Sequence, residues 1–306
     1  MASEVSIQAA DFTALPRLAR QLGVRFDDAM RPSDLTFRGS GGTRLHAFDW
    51  RGDGAPALFL HGGRLTARTW DYVCLGLRSR VHAVALDLRG HGDSAWADDY
   101  SIDLADSVAD VGAVLDTLGW HTAHLIGMSL GGIVAAQFAA AAPQRIATLA
   151  LVDVGPGVVF EATARMRNFF QDIERIESVE AVVDAAMKTS PESERAVVAY
   201  RMQAMLRQSA RGGWRWAYDT RRRPDYPALL AKVEAMSSLG ERLGAPCLVV
   251  RGGRSLVFSD QAAARFAERF TSGEWVAVPG ARHNVQEDNP AGLIAALTQF
   301  WSRHAR

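Results

Sequence analysis

Short, almost wholly apolar runs punctuate this chain, and each ends in a turn of small or polar residues. Ala55–Leu60 stops at His61-Gly62-Gly63, Val81–Leu88 at Arg89-Gly90-His91-Gly92, and Ala123–Gly127 at Met128-Ser129. Ile146–Val152, Cys247–Val250 and Trp275–Val278 are of the same kind, and Asp34–Phe37 and Leu45–Trp50 read as short strands ahead of them. Runs of this length without alternation mark strands covered on both faces, as in a parallel sheet. Between them, Thr66–Leu77, Leu104–Leu118, Leu130–Ala141, Gln261–Phe270 and Ala291–Trp301 place apolar residues three and four apart, the spacing of a helix with one buried face. Strand and helix in alternation predict βαβ units with right-handed crossovers. In such a sheet ligands bind beyond the carboxyl ends of the strands. Chemistry is therefore expected in the residues that directly follow each run.

Between Asp153 and Gly244 the alternation stops. Glu161–Glu177, Val179–Met187, Ser193–Arg207 and Pro227–Met236 carry helical spacing, with no strand-like run among them. The stretch is too long for a loop without structure of its own. The expected organisation is one α/β core, residues 1–154 and 241–306, interrupted by a mostly helical cap over the strand ends at 155–240. Residues 1–33 read as a helical N-terminal extension, with Leu15, Leu18, Leu22 and Val24 on one side.

Composition narrows the function classes. The 306 residues hold 34 Lys+Arg against 34 Asp+Glu, a formal net charge of zero. That balance argues against nucleic acid as the main partner. The two cysteines, Cys74 and Cys247, stand in apolar stretches and are expected as buried free thiols. No apolar run is long enough to span a membrane. The early Glu4 and Asp11 are unlike a secretory signal, so a cytoplasmic protein with a small-molecule substrate is expected. There is no G-x-x-x-x-G-K-[ST] loop, no His/Cys pair at zinc spacing and no G-x-G-x-x-G after the first strand. Neither a metal nor an organic cofactor is expected.

The sharpest chemical signal is Gly127-Met128-Ser129-Leu130-Gly131, with Gly132 behind it. It follows a strand and opens a helix, the context that a G-x-S-x-G nucleophile elbow requires. A serine on such a strained turn projects its hydroxyl, and glycines on either side remove side chains that would clash across the turn. The helix N-terminus adds free N–H groups suited to a developing oxyanion. A serine hydroxyl needs a base. Of the eight histidines only His61, His91 and His283 directly follow strand-like runs. His61 and His91 suit structural roles in their turns, which leaves His283 as the base. The small residues of His61-Gly62-Gly63 let a backbone N–H reach the substrate oxygen. The donors are assigned to Gly63 and Leu130, with Arg64 as the alternative to Gly63.

Together, HGG, DLRGHGDS, GMSLGG and the late GARH resemble the α/β-hydrolase family across residues 34–304. The resemblance implies a mostly parallel sheet flanked by helices, with a helical cap inserted before the last two strands. It specifies no substrate. One feature departs from the family. Relatives usually place the triad aspartate after the penultimate strand, in a stretch like R-G-x-x-S-D, where this chain has Arg251-Gly252-Gly253-Arg254-Ser255-Leu256. Leucine cannot stabilise an imidazolium. Asp153, after the strand ending LALVDV, is the first candidate, since some family members place the acid there. Asp260 is the second, although Ser259-Asp260 reads better as a helix start. A dyad or an impaired site is the third.

The expected activity is hydrolysis of a carboxylic ester through an acyl-enzyme on Ser129, with His283 and Asp153 completing a triad. A serine in place of a carboxylate nucleophile excludes dehalogenase and epoxide hydrolase chemistry. Lactone or C–C bond hydrolysis of a small acidic substrate is the alternative, and a non-catalytic binding protein on the same scaffold is the rival outside enzymes. Arg64, Met128, Trp214 and Trp216 are the expected substrate-binding residues. The cap stretch Trp214–Tyr218, with the arginines at 211–223, is the place where an acidic or aromatic substrate would be recognised.

Overall fold

The computed structural model describes residues 10–96, 104–163, 169, 176–189, 191–209, 212–221 and 225–304. Most of the expected helix Glu161–Glu177 lies outside these residues, as do Arg211, Arg222 and Arg223. After a short helix α1 (Leu15–Gln21), the chain forms β1 (Ser33–Arg38), β2 (Arg44–Arg51) and β3 (Ala55–Leu60). Helix α2 (Asp71–Leu77) leads to β4 (Val81–Asp87), α3 (Leu104–Thr117) to β5 (Ala123–Met128), and α4 (Leu130–Ala141) to β6 (Ile146–Val152). Residues beyond β6 include α5 (Val179–Thr189), α6 (Arg195–Ala204), the hairpin β7 (Leu206–Gln208) and β8 (Trp214–Trp216), and α7 (Tyr226–Glu234). The chain then returns to the core with β9 (Cys247–Gly252), α8 (Asp260–Ala267), β10 (Gly273–Val278), α9 (Val285–Asp288) and α10 (Pro290–His304).

The eight-stranded sheet runs β1-β2-β4-β3-β5-β6-β9-β10. β1 and β2 are antiparallel to their neighbours, and the rest of the sheet is parallel. The apolar runs lack alternation because both faces are covered. Phe59, Ala85, Ile126 and Ala150 point into one core cluster, while Leu58, Val84, Leu125 and Leu149 point into the other. Leu15, Leu18 and Ala19 of α1 are buried in the first cluster with Val73 and Leu75 of α2.

Two elements differ from their expected form. The stretch read as one helix over Thr66–Leu77 starts as a 3₁₀ turn at Ala67–Trp70 before α2 begins. The Ala67 N–H is drawn to Asp87 Oδ1 at 2.6 Å, a tertiary bond that local spacing does not reveal. The expected helix Ser193–Arg207 ends at Ala204, and the next residues enter the β7–β8 hairpin. Each of those strands has only three residues, too few to show a period of two.

Candidate active site

Ser129 sits where β5 gives way to α4, at φ 51° and ψ −115°, outside the helical and extended regions. A side chain pays a strain cost there, which the surrounding structure must hold in place. The glycines make the turn possible. A Cβ at Gly127 would lie 2.4 Å from the Gly131 carbonyl oxygen, and one at Gly131 would lie 2.3 Å from that of Leu60. Both contacts are with backbone, which cannot step aside. The Ser129 N–H donates to Val152 O at 3.1 Å, and its carbonyl accepts from Gly132 and Ile133, so the turn is tied to β6 and α4 at once.

His283 follows β10 in Pro279-Gly280-Ala281-Arg282-His283. Its Nδ1 lies 2.7 Å from Asp153 Oδ2. Asp153 is fully buried at the end of β6 and carries a positive φ of 52°. The strained backbone is held by its N–H, which donates to Val250 O at 2.7 Å. The carboxylate takes two further donors, one from the last residue of β9 and one from the loop after it. Gly252 N–H reaches Oδ1 at 2.9 Å, and the Ser255 hydroxyl reaches Oδ2 at 2.6 Å. With Asp153 accepting at Nδ1, that nitrogen carries the proton, and Nε2 is the basic one. Asp260 is elsewhere. It is the first residue of α8, its carboxylate pairs with Arg251, and its side chain is 62% exposed. The preceding Ser259 caps the helix, accepting from Ala262 N–H at 3.1 Å. Leu256 is 82% exposed, so the position at which the family usually carries the acid points to solvent.

The loop after β3 brings Gly63 beside Leu130. A Cβ on Gly63 would meet nothing closer than Leu130 Cδ2 at 3.8 Å. The next N–H, that of Arg64, donates to His91 Nε2 at 3.3 Å. It is thus already engaged, whereas Leu130 N–H opens α4, where the first turn has no intrahelical acceptor. His61 lies under this loop, fully buried. Its Nε2 accepts from Leu88 N–H at 3.0 Å and its Nδ1 donates to Gly62 O at 2.8 Å. Burial pushes its pKa down, which keeps the ring neutral for both bonds. Met128 packs from beneath, and a Cβ on Gly62 would lie 2.5 Å from its sulfur.

A charged cluster supports the same loop. Asp87, at the end of β4, accepts from Ala67 N–H through Oδ1, and from Asp93 N–H and His46 Nδ1 through Oδ2. His46 Nε2 lies 2.9 Å from Asp34. Burial opposes charge on His46, but its bonds to Asp87 and Asp34 and the nearby Asp93 outweigh it and raise the pKa to about 9. Asp87 is held well below the usual carboxylate range despite its burial, chiefly by His46. His46, Asp87 and Asp93 are close enough together to suggest a metal site. Their donor atoms are already committed, however. Both His46 nitrogens face carboxylates, and Asp93 receives Arg207 through both oxygens, at 2.8 and 2.9 Å. The cluster is a charge-compensated network and does not fit a metal.

Arg207 belongs to β7, so its pair with Asp93 fastens the hairpin to the loop after β4. Backbone bonds repeat the attachment, with Gly92 N–H to Ala217 O at 2.6 Å and Asp219 N–H to Gly90 O at 2.8 Å. A cavity of about 270 Å³ opens beside His283. Its walls include Leu65, Val198, Met202, Met205 and Phe169, with Arg201 and Arg282 among the polar residues. Both arginines are paired, Arg201 with Glu287 at 2.8 Å and Arg282 with Glu192 at 2.9 Å. The four expected substrate-binding residues are not in this wall. Trp216 is buried and stacks on Tyr218, Trp214 is half-buried in the hairpin, Met128 lies under Gly62, and Arg64 hydrogen-bonds the Tyr218 phenol. Arg215 and Arg221 lie over the Trp96 ring, at 4.5 and 5.4 Å from its centroid. The aromatic cluster holds the hairpin to the core, because its rings face one another and the β4 loop. Cys74 and Cys247 are buried free thiols. Among the described residues no helix is long and apolar enough to cross a membrane.

Sequence reasoning missed Gly252, Ser255, Asp87 and Arg207. The first two lie inside the stretch where an acid was sought and none was found. Their role as donors to a carboxylate on another strand has no sequence signal. Asp87 opens the DLRGHGDS motif and was legible as a motif position only.

This sheet order, with a serine elbow after β5 and a histidine after the last strand, defines an α/β hydrolase. The chain belongs to that family: the family model described as alpha/beta hydrolase fold matches residues 56–290. An esterase of Mycobacterium tuberculosis is 34% identical over 258 residues, 82% of this chain and 84% of its own length. Its crystal structure matches with a TM-score of 0.76 at 30% identity, over 97% of this chain and 100% of that one. A 2-(acetamidomethylene)succinate hydrolase of Mesorhizobium japonicum is 28% identical over 265 residues, 82% of this chain and 89% of its own. The structure of an α/β hydrolase from Novosphingobium aromaticivorans matches with a TM-score of 0.77 at 28% identity, over 90% and 100% of the two chains.

Proposed function

We propose that the protein is a serine esterase that cleaves carboxylic esters through an acyl-enzyme on Ser129. The observation that carries the reading is the 2.7 Å bond between His283 Nδ1 and the buried Asp153, which follows β6 as the strained Ser129 follows its parallel neighbour β5. The similarity to an enzyme named an esterase supports the same class. Ser129 Oγ attacks the ester carbonyl as His283 Nε2 takes its proton. Asp153 stabilises the imidazolium and fixes its tautomer. The N–H groups of Gly63 and Leu130 receive the oxyanion, each contributing about two to three powers of ten in rate. His283 returns the proton to the leaving alcohol, and water then releases the acid by the same route. Ser129→Ala should abolish turnover of p-nitrophenyl esters with the circular dichroism spectrum unchanged. Turnover retained in that variant contradicts the reading.

A second reading, cleavage of a small acidic substrate, draws on Arg201 and Arg282 in the cavity wall and on the Mesorhizobium relative named for a succinate derivative. The pairing of both arginines with carboxylates weighs against it. Monoesters of succinate turned over faster than neutral esters of the same length would favour it.

A further inference from the structure

We propose that Ser255 is a positioning residue for catalysis, holding the Asp153 carboxylate in the orientation that His283 requires. The proposal rests on the reading of Asp153 as the triad acid. The direction of the key bond is settled by counting protons. A serine hydroxyl has one proton to give. Ser255 Oγ accepts from Val257 N–H at 3.1 Å and lies 2.6 Å from Asp153 Oδ2, an ionised acceptor, so its proton goes to the carboxylate. The hydroxyl cannot easily turn away, because the backbone around it is pinned. Ser255 N–H donates to Gly252 O at 2.8 Å, Arg251 Nη2 donates to Ser255 O at 2.9 Å, and Arg254 N–H donates to Ala281 O at 2.7 Å.

The carboxylate therefore meets three donors across its two oxygens. Gly252 N–H holds Oδ1, while Ser255 and His283 share Oδ2. Asp153 is fully buried, so water cannot stand in for a donor that is removed. Without Ser255, Oδ2 keeps only the histidine and the carboxylate plane loses a restraint. The consequence is a looser geometry that lowers the chemical rate.

The test is steady-state kinetics of Ser255→Ala on a neutral p-nitrophenyl ester, with the folded fraction measured in parallel. The expected result is a kcat about tenfold lower per folded molecule, with KM within about twofold. Ser255→Thr, which keeps the hydroxyl, should recover most of kcat. The downfield Nδ1–H proton resonance of His283 should move in the alanine variant and stay in place in the threonine variant. An alanine variant whose kcat per folded molecule and resonance both match the parent protein overturns the proposal. Asp153→Asn separates the two claims. If it cripples the enzyme while Ser255→Ala is silent, only the positioning role fails. If it is silent as well, the acid assignment has failed first.

Discussion

Raising the pH tests the buried network beneath the loop after β3. His46 is 2% exposed and joins Asp87 to Asp34 through its two ring nitrogens. Its pKa is raised from 6.5 to about 9 in the folded protein. Between those values the folded state holds a proton that the unfolded chain has released. The stabilisation is thus fully present below pH 6.5 and disappears as the pH rises through about 9. At about 1.4 kcal/mol per unit, the shift corresponds to about 3 kcal/mol. The depressed Asp87 carboxyl is the other half of the same interaction and adds nothing further. Urea denaturation of the parent protein and of His46→Gln at pH 6.5, 8, 9 and 10 isolates the effect, because every other titrating group is common to both. The parent should lose about 3 kcal/mol more than the variant between pH 6.5 and 10. Parallel stability curves would refute the assignment of the charge to His46. Because Asp87 also holds Ala67 N–H, kcat of the parent should fall along the same alkaline limb, before global unfolding.

Asp153→Asn should lower kcat by about three to four powers of ten in the ester assay, with Asp260→Asn within about threefold of the parent. Equal effects would remove Asp153 from the triad. Gly131→Ala drives a Cβ against the Leu60 backbone and should cost about 3 kcal/mol in urea denaturation. Arg207→Ala leaves Asp93 buried without its partner and should cost about 3–5 kcal/mol, with the hairpin at 206–216 becoming sensitive to limited proteolysis.

The strands around the site could be read in the sequence because a parallel sheet buries both faces, so each run is apolar throughout and ends where the chain turns out toward ligand. Ser129 was legible for the same reason, since strand, glycine-flanked serine and helix are contiguous in the chain. The choice between Asp153 and Asp260 was not, because it depends on strand order in space. β6 and β9 are neighbours in parallel register, Val152 beside Val250, and β9 is beside β10, Val278 opposite Gly252. The end of β6 therefore lies next to the loop that delivers His283, whereas Asp260 has moved on into α8. The β7–β8 hairpin was illegible, since its three-residue strands are fixed by Arg207, Gly92 and Asp219 and not by their own pattern. Trp216 and Tyr218 stack on each other, and Arg215 and Arg221 cover Trp96, contacts that no one-dimensional spacing encodes.

Whether Ser129 is an activated nucleophile is decided by a fluorophosphonate reagent followed by peptide mass spectrometry, because the reagent needs both an activated hydroxyl and a place for its oxyanion. The expected result is a single covalent adduct on the peptide carrying Ser129, formed at a rate that falls in Asp153→Asn and absent in Ser129→Ala. An unlabelled Ser129, or an adduct that persists in Ser129→Ala, would contradict it.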